Sequence, residues 1–187
     1  MKKRIFDILI SIVLIIILFL PITIICLLVL ISSKGPIFYF SERVGLNNKN
    51  FKMPKFRTMY VDTPLLDTAS LDNPSQYITL IGSFLRKFSI DELPQIYSVL
   101  IGDMSLVGPR PALPSQYELI RLRTLSGAYK CKPGITGLAQ VKGRDNISIE
   151  EKASLDQRYY QNKSLIYDIY IIILTFLVVI NKKNISH

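Results

Sequence analysis

From Ile8 to Ser33 the chain carries no charged residue, and most positions are Ile, Leu or Val. A helix needs about 20 apolar residues to cross a bilayer, so this stretch predicts a lipid-embedded element. A cleaved signal peptide would share the basic start at Lys2, Lys3 and Arg4. The apolar run, however, exceeds the roughly 7–15 residues of a signal core, and no clear A-x-A-like cleavage site accompanies it. The expectation is a retained anchor. Pro21 lies near its middle, where a missing hydrogen bond and a ring clash bend a helix. Cations flank both ends: Lys2, Lys3 and Arg4 before it, then Lys34, Arg43, Lys49, Lys52, Lys55 and Arg57 after it. The positive-inside tendency places both flanks on the cytoplasmic face. A re-entrant helix-break-helix over 1–34, broken at Pro21, satisfies both flanks, whereas a kinked span, the alternative, leaves the first three cations on the far side.

Residues 35–187 read as one small domain. Gly35-Pro36 punctuates the exit from lipid. Two β-prone runs, Ile37–Phe40 and Phe51–Arg57, joined through the polar Gly45–Asn50, predict a hairpin. Asp62–Gln76 reads as a surface loop. Tyr77–Phe88 has helical apolar spacing, with Arg86 and Lys87 in its last turn, where cations suit the helix dipole. A short helix follows from Asp91, and another is expected over Leu113–Leu125. Gly134–Gly137 reads as a loop leading into Leu138–Val141. Ser148 and Glu151 form a capping box for a helix to about Tyr160. Ile169–Ile180, bounded by Asp168, is too short for a comfortable span and predicts an interfacial or packing helix. The fold class expected is α+β, mainly helical: the membrane element plus a small cytosolic α/β-type domain with interfacial amphipathic helices.

The formal net charge of +9 raises nucleic acid as a partner. No strong basic run, aromatic RNA-binding signature or zinc finger accompanies it, and cations beside a lipid-embedded segment meet anionic headgroups instead. Anionic lipids are therefore the expected partner, and nucleic acid is not. The single histidine is the last residue, His187, which removes Ser-His-Asp and Cys-His triads and most catalytic zinc sites. Cys26 and Cys131 stand far apart and support neither a disulfide framework nor a metal cluster. Neither G-x-G-x-x-G nor a Walker A loop occurs. What remains for chemistry is carboxylate, Lys, Arg, Tyr and Ser, with a hard cation such as Mg²⁺.

The run Ser89–Pro111, S-I-D-E-L-P-Q-I-Y-S-V-L-I-G-D-M-S-L-V-G-P-R-P, concentrates such groups. Asp91 and Glu92 could simply cap a helix, since Ser89 and Glu92 fit S-x-x-E. Against that, Pro94 stiffens the turn, a helix start favours bound phosphate, and Gly108-Pro109-Arg110-Pro111 is a rigid loop carrying one guanidinium. Arginine grips phosphate oxygens bidentately, as lysine does not.

The strings K-F-R-T-M (Lys55–Met59), D-E-L-P-Q (Asp91–Gln95), G-D-M-S-L-V-G-P-R-P (Gly102–Pro111) and K-P-G-I-T-G-L-A-Q-V-K-G-R (Lys132–Arg144) occur in that order. Together with the basic-apolar start and its central proline, they resemble the bacterial sugar transferase family, the monotopic phosphoglycosyl transferases. The likeness covers nearly the whole chain and is strongest to the small, single-domain members. It implies transfer of a sugar 1-phosphate from a UDP-sugar to a polyprenol phosphate, usually undecaprenyl phosphate, with release of UMP. Asp91 matches the family's nucleophile, which forms an aspartyl phospho-sugar intermediate, and Glu92 its dyad partner. Mg²⁺ is the implied cofactor, with Asp91 as candidate ligand.

The same resemblance assigns Lys55, Arg57, Arg86, Arg110, Pro111, Gln140 and Arg144 to substrate or phosphate binding. Alternatives stand beside several of these. Arg86 also fits a helix C-terminus, Lys55 and Arg144 fit headgroup contacts, and Gln140 fits a backbone brace. Asp103, Asp156 and Asp168 read as structural acids. Two departures from the family pattern are Leu20-Pro21, where members often carry Ser-Pro, and Arg57, where some carry lysine. The place implied is the cytoplasmic face of the inner membrane, at the start of a surface glycan, with downstream glycosyltransferases or a second copy as partners. V-D-T-P (Val61–Pro64) and P-A-L-P-S-Q-Y-E-L-I (Pro111–Ile120) look closest to capsule-type members handling N-acetylated deoxyamino sugars. A non-catalytic polyprenyl-phosphate scaffold and a phosphohydrolase are the competing readings.

Overall fold

The structure, a computed structural model, describes residues 2–64, 73–143 and 146–180. Its first element, α1 (Lys2–Ser32), is one helix of 31 residues with Pro21 inside it, about 46 Å long at the usual rise. The secondary structure is thus continuous through Pro21, where two helices joined by a break were expected. A prolyl nitrogen removes one ladder bond, and two residues on, the Thr23 hydroxyl donates to Phe19 O at 2.9 Å. Of the whole helix only Asp7, Ser11 and Val29 are buried, while Leu9, Ile16, Ile17, Phe19, Leu20 and Ile31 are largely exposed. Apolar side chains outward and polar ones inward is the reverse of a water-soluble helix, and it marks a surface made for lipid.

Both ends of α1 attach to the same domain. At the start, Asp7 accepts from the Ser105 hydroxyl at 2.9 Å and from Leu106 N–H at 3.2 Å. Lys3 pairs with Asp168 at 2.5 Å and donates to Val107 O at 3.2 Å, and Arg4 donates to the carbonyls of Val99 and Leu100. At the far end Val29 packs in a buried cluster with Phe56 and Leu85. Just beyond it, Arg57 donates through Nη1 to Lys34 O at 2.8 Å and through Nη2 to Ser33 O at 2.7 Å. Four C-terminal carbonyls of any helix lack intrahelical partners. Here a guanidinium supplies donors at that end.

The domain is α+β and mainly helical, as expected. The hairpin forms: β1 (Phe38–Val44) and β2 (Asn50–Phe56) pair antiparallel from Phe38 opposite Phe56 to Val44 opposite Asn50. Asn47 and Asn48 turn it in the left-handed region, φ 55° and 59°, which asparagine tolerates. α2 (Leu80–Lys87) is capped by Thr79, whose hydroxyl accepts from Gly82 N–H at 2.9 Å. α3 (Gln95–Ile101) follows. The helix expected over Leu113–Leu125 is α4 (Tyr117–Ser126), starting beyond Pro114, since a proline disfavours helical backbone in the residue before it.

A second, parallel sheet was not anticipated. β3 (Ser105–Val107) pairs with β4 (Gly134–Thr136), where a loop was read. Strands of three residues are too short to display a period, and β3 is buried throughout. The two backbones come so close that a Cβ on Gly134 would lie 2.1 Å from Gly108 N. α5 (Leu138–Lys142) leads to α6 (Ile149–Asn162), whose Ser148 cap forms as read, Glu151 N–H to Ser148 Oγ at 3.2 Å. α7 (Leu165–Ile180) starts earlier than expected and contains Asp168 instead of being bounded by it. Asp168 is fully buried, accepting from the Tyr159 hydroxyl at 2.8 Å and from Lys3.

These contacts predict the effect of Asp7→Ala. It leaves the buried Ser105 hydroxyl and Leu106 N–H without their partner, at about 1–3 kcal/mol for each unpaired group. The detergent-solubilised variant should melt several degrees lower and be cut by trypsin faster at Lys2, Lys3 and Arg4. Unchanged melting and cleavage would show that Asp7 does not hold α1.

Candidate active site

The acid pair sits in a turn, not at a capped helix start. Ser89 has left-handed backbone, φ 54° and ψ 23°, and its side chain makes no capping hydrogen bond. Its carbonyl instead accepts from Glu92 N–H at 3.3 Å, closing one tight turn over Ile90–Glu92. S-x-x-E here is therefore not a capping box. Pro94, with φ −59° and ψ −16°, sits next to α3 and gives its chain entry a fixed φ. The two acids are held between the ends of α2 and α3, with Asp91 only 8% exposed.

Three cations converge on this turn. From β2, Lys55 places Nζ 2.8 Å from Glu92 Oε1 and 3.7 Å from Asp91 Oδ2, so one ammonium bridges both acids. Arg110 adds Nη2 at 3.1 Å from the same Glu92 oxygen. Arg86, at the end of α2, donates from Nε to the Thr58 hydroxyl at 2.8 Å. Burial lowers its pKa, and the charge of Asp91 opposes that shift.

The consequence is a split between neighbouring carboxylates. Burial pushes the Asp91 pKa up, helped by the charge of Glu92 and opposed by Lys55 and Arg86. Burial acts the same way on Glu92, but Arg110 and Lys55 overcome it and hold that carboxyl well below the usual range. Glu92 is a fixed anion between two cations. Asp91 is held more loosely, 3.7 Å from Lys55.

Backbone bonds fix the loop that carries Arg110. Gly108 N–H donates to Thr136 O, Gly134 N–H to Pro109 O and Val44 N–H to Ala112 O, each at 2.9 Å. Arg123 donates from Nη1 to Arg110 O at 3.0 Å, and its other nitrogens pair with Asp156 at 2.7 and 2.8 Å. Both partners of that pair are buried, and so is Pro111. Asp156 was read as structural, which fits this placement. Arg123 was missed, although it lies one turn after Leu119 on the buried face of α4.

The model of the family described as bacterial sugar transferase matches residues 1–182. The chain belongs to the bacterial sugar transferase family. It is an enzyme of the phosphoglycosyl transferase type. Among similar curated proteins, an exopolysaccharide production protein, ExoY, of Sinorhizobium fredii is 37% identical over 93% of this chain and 83% of its own length. An undecaprenyl-phosphate glucose phosphotransferase of Komagataeibacter xylinus is 37% identical over 94% of this chain but 35% of its own. A UDP-glucose:undecaprenyl-phosphate glucose-1-phosphate transferase of Klebsiella pneumoniae is 38% identical over 92% of this chain and 39% of its own. This chain thus spans most of the first relative and little more than a third of the other two.

Not every expected residue of the transferase gathers at the turn. Lys55, Arg86 and Arg110 do. Arg57 does not: its guanidinium is engaged with Ser33 and Lys34 at the end of α1, where it clamps that end to the domain. Gly35, at φ +124°, makes room for it, since a Cβ there would lie 2.1 Å from Arg57 Nη1. Gln140 donates from Nε2 to Ile135 O at 2.9 Å, the backbone brace that was its alternative reading, and its buried Oε1 has no partner. Arg144 lies outside the described residues. Among the described residues no group of three or more acids, histidines or cysteines could hold a metal by itself.

The Arg123–Asp156 pair generates a stability prediction. Removing one partner of a buried ion pair costs about 3–5 kcal/mol, so Arg123→Met should lower the unfolding midpoint sharply. Arg121→Met, which breaks the exposed pair with Glu118 three residues before it, should leave it unchanged in the same denaturation series. Equal effects would refute the anchoring role given to Arg123.

Proposed function

We propose that the transferase moves a sugar 1-phosphate from a UDP-sugar to undecaprenyl phosphate, releasing UMP, through an acyl phosphate that joins the phospho-sugar to Asp91. The observation that carries this reading is the unequal treatment of the two acids, Asp91 raised by burial and Glu92 locked by Lys55 and Arg110. Relatives in Komagataeibacter xylinus and Klebsiella pneumoniae, both named as undecaprenyl-phosphate sugar transferases, support the substrate pair.

The steps balance. A carboxylate oxygen of Asp91 forms a bond to the sugar-bearing phosphorus as the bond from that phosphorus to the bridging oxygen breaks, and UMP leaves with the electron pair. A phosphate oxygen of the polyprenol phosphate then attacks the same phosphorus and returns the carboxylate to Asp91. One phosphoanhydride is made for the one broken, so no external energy source is required. Positioning and charge stabilisation carry the rate. Lys55, Arg86 and Arg110 are placed to bind phosphate oxygens, and Glu92 holds two of those cations in register.

Mg²⁺ fits this donor set as an ion that a substrate would help to hold. Magnesium commonly takes one or two carboxylates and completes its shell with phosphate oxygens and water, and Asp91 is the carboxylate at hand. When bound it would supply charge neutralisation to the diphosphate.

A re-entrant anchor is part of the proposal. Its support is that both ends of an apolar helix about 46 Å long attach to one domain, through Lys3, Arg4 and Asp7 at the start and Val29 and Arg57 at the end. A straight span would carry the first set a bilayer thickness away from that domain. The basic flanks support a site at the cytoplasmic face of the inner membrane, where the domain would begin a surface glycan. For the sugar, the strings Val61–Pro64 and Pro111–Ile120 favour an N-acetylated deoxyamino sugar. Relatives named for glucose and galactose favour hexoses instead.

Incubation with radiolabelled UDP-sugars without lipid acceptor should leave label on the peptide containing Asp91, and Asp91→Asn should abolish both the label and UMP release. Turnover by Asp91→Asn at the unaltered rate would eliminate the nucleophile assignment. UMP release across a panel of glucose, galactose and N-acetylated deoxyamino UDP-sugars identifies the donor.

The dyad also sets a pH dependence. The nucleophile must be ionised, and the Asp91 pKa lies above its ordinary value of 3.8, so kcat/KM should fall on acidification at a pH above that value. Lys55→Met removes the largest opposing charge and should move this acid limb higher still. An acid limb that ignores the substitution would contradict the coupling.

A further inference from the structure

A second concentration of positive charge lies away from the acid pair. Lys3 and Arg4 of α1, Lys130 and Lys132 of the segment before β4, and Lys163 after α6 line a cavity of about 260 Å³ together with Asp7. Opposing charge there is already engaged. Asp7 is held by Ser105 and Leu106, and Asp168 by Lys3 and Tyr159. Among the described residues no acid lies within ion-pair distance of Lys130, Lys132 or Lys163. Lys130 and Lys163 rest over the rings of Tyr129 and Tyr160, 5.7 and 4.6 Å from the centroids. Burial and the adjacent Arg4 lower the pKa of Lys132, and the charges of Asp7 and Asp103 oppose that shift.

The cavity is distinct from the candidate active site. Arg4 grips Val99 and Leu100 in the last turn of α3, whereas Asp91 and Glu92 precede its first residue. It also opens where two apolar helices begin. The Lys3–Asp168 pair ties α1 to α7, and within a turn of that pair Ile5, Ile166 and Ile169 are exposed. A ligand fitting this arrangement carries phosphate at one end and hydrocarbon at the other.

We propose that this cavity binds the phosphate headgroup of an anionic phospholipid, seating the first turn of α1 at the lipid surface. Free phosphate shares the charge but not the acyl chains, so the apolar rim decides for the lipid. The site needs no nucleotide sugar, and its test stands apart from the reaction proposed above.

The full chain in neutral detergent is mixed in turn with dioleoyl phosphatidylglycerol, dioleoyl phosphatidylcholine and inorganic phosphate, and retained ligand is measured by native mass spectrometry. Phosphatidylglycerol should be retained over both other probes. Lys132→Gln/Lys163→Gln should weaken that retention roughly thirtyfold, since each basic residue near an anionic surface contributes about fivefold. Lys49→Gln/Lys52→Gln, which loses the same charge on the hairpin, should not. Equal retention of the two lipids, equal loss in both double variants, or inorganic phosphate held as tightly as phosphatidylglycerol would each overturn the proposal. The comparison of the three probes on the unaltered chain decides the matter even where a variant folds poorly.

Discussion

An apolar helix whose polar residues face the protein has to be held at both ends, and the buried carboxylate of Asp7 is where that begins. Its two oxygens take the Ser105 hydroxyl and Leu106 N–H, so β3 is joined to α1 as well as to β4. Leaving such donors unpaired in a dry interior costs more than a bond made there gains. Hydrocarbon on the outer face of α1 and polar satisfaction on its inner face are thus one constraint, and the parallel sheet is built against it.

The far end of α1 meets the site through three consecutive residues. Lys55 reaches Glu92, Phe56 enters the cluster with Val29 and Leu85, and Arg57 caps α1 at Ser33 and Lys34. A strand sends neighbouring side chains to opposite faces, so one short run serves dyad, core and membrane element together. Displacing the end of α1 would therefore shift the strand end that carries Lys55. Arg57 belongs to the site's support, although it stands inside the K-F-R-T-M string two residues after Lys55.

The acid pair, Lys55 and Arg110 were legible because they lie in compact strings, whereas Arg86 lies outside those strings, bonds to Thr58 and reaches Asp91 only through its charge. The hairpin and the Ser148 cap were legible because their signals are local: a polar turn between β-prone runs, and a hydroxyl three residues from a glutamate. What escaped is long-range or too short to carry a period. Lys3 meets Asp168 across 165 positions, and Arg123 meets Asp156 across 33. Neither pairing has a sequence pattern. Ser89 shows the opposite failure, a local motif overridden: the left-handed turn that brings the acids between α2 and α3 removes the geometry a capping box needs.

The charge balance of the site favours dividing the labour between the acids. On the proposed route an anion attacks a phosphorus that already bears negative oxygens, so repulsion must be offset before the bond can form. Lys55, Arg86 and Arg110 against Asp91 and Glu92 leave one positive charge in excess at the turn. Were Glu92 replaced by a neutral residue, that excess would rise. Lys55 and Arg110 would lose the oxygen they share at 2.8 and 3.1 Å, and with it their fixed spacing. A preorganised pair of cations is worth more to a transition state than a larger but mobile charge. The low pKa of Glu92 thus follows from how closely Lys55 and Arg110 are held to it, and the raised pKa of Asp91 from burial that the more distant Lys55 and Arg86 only partly offset.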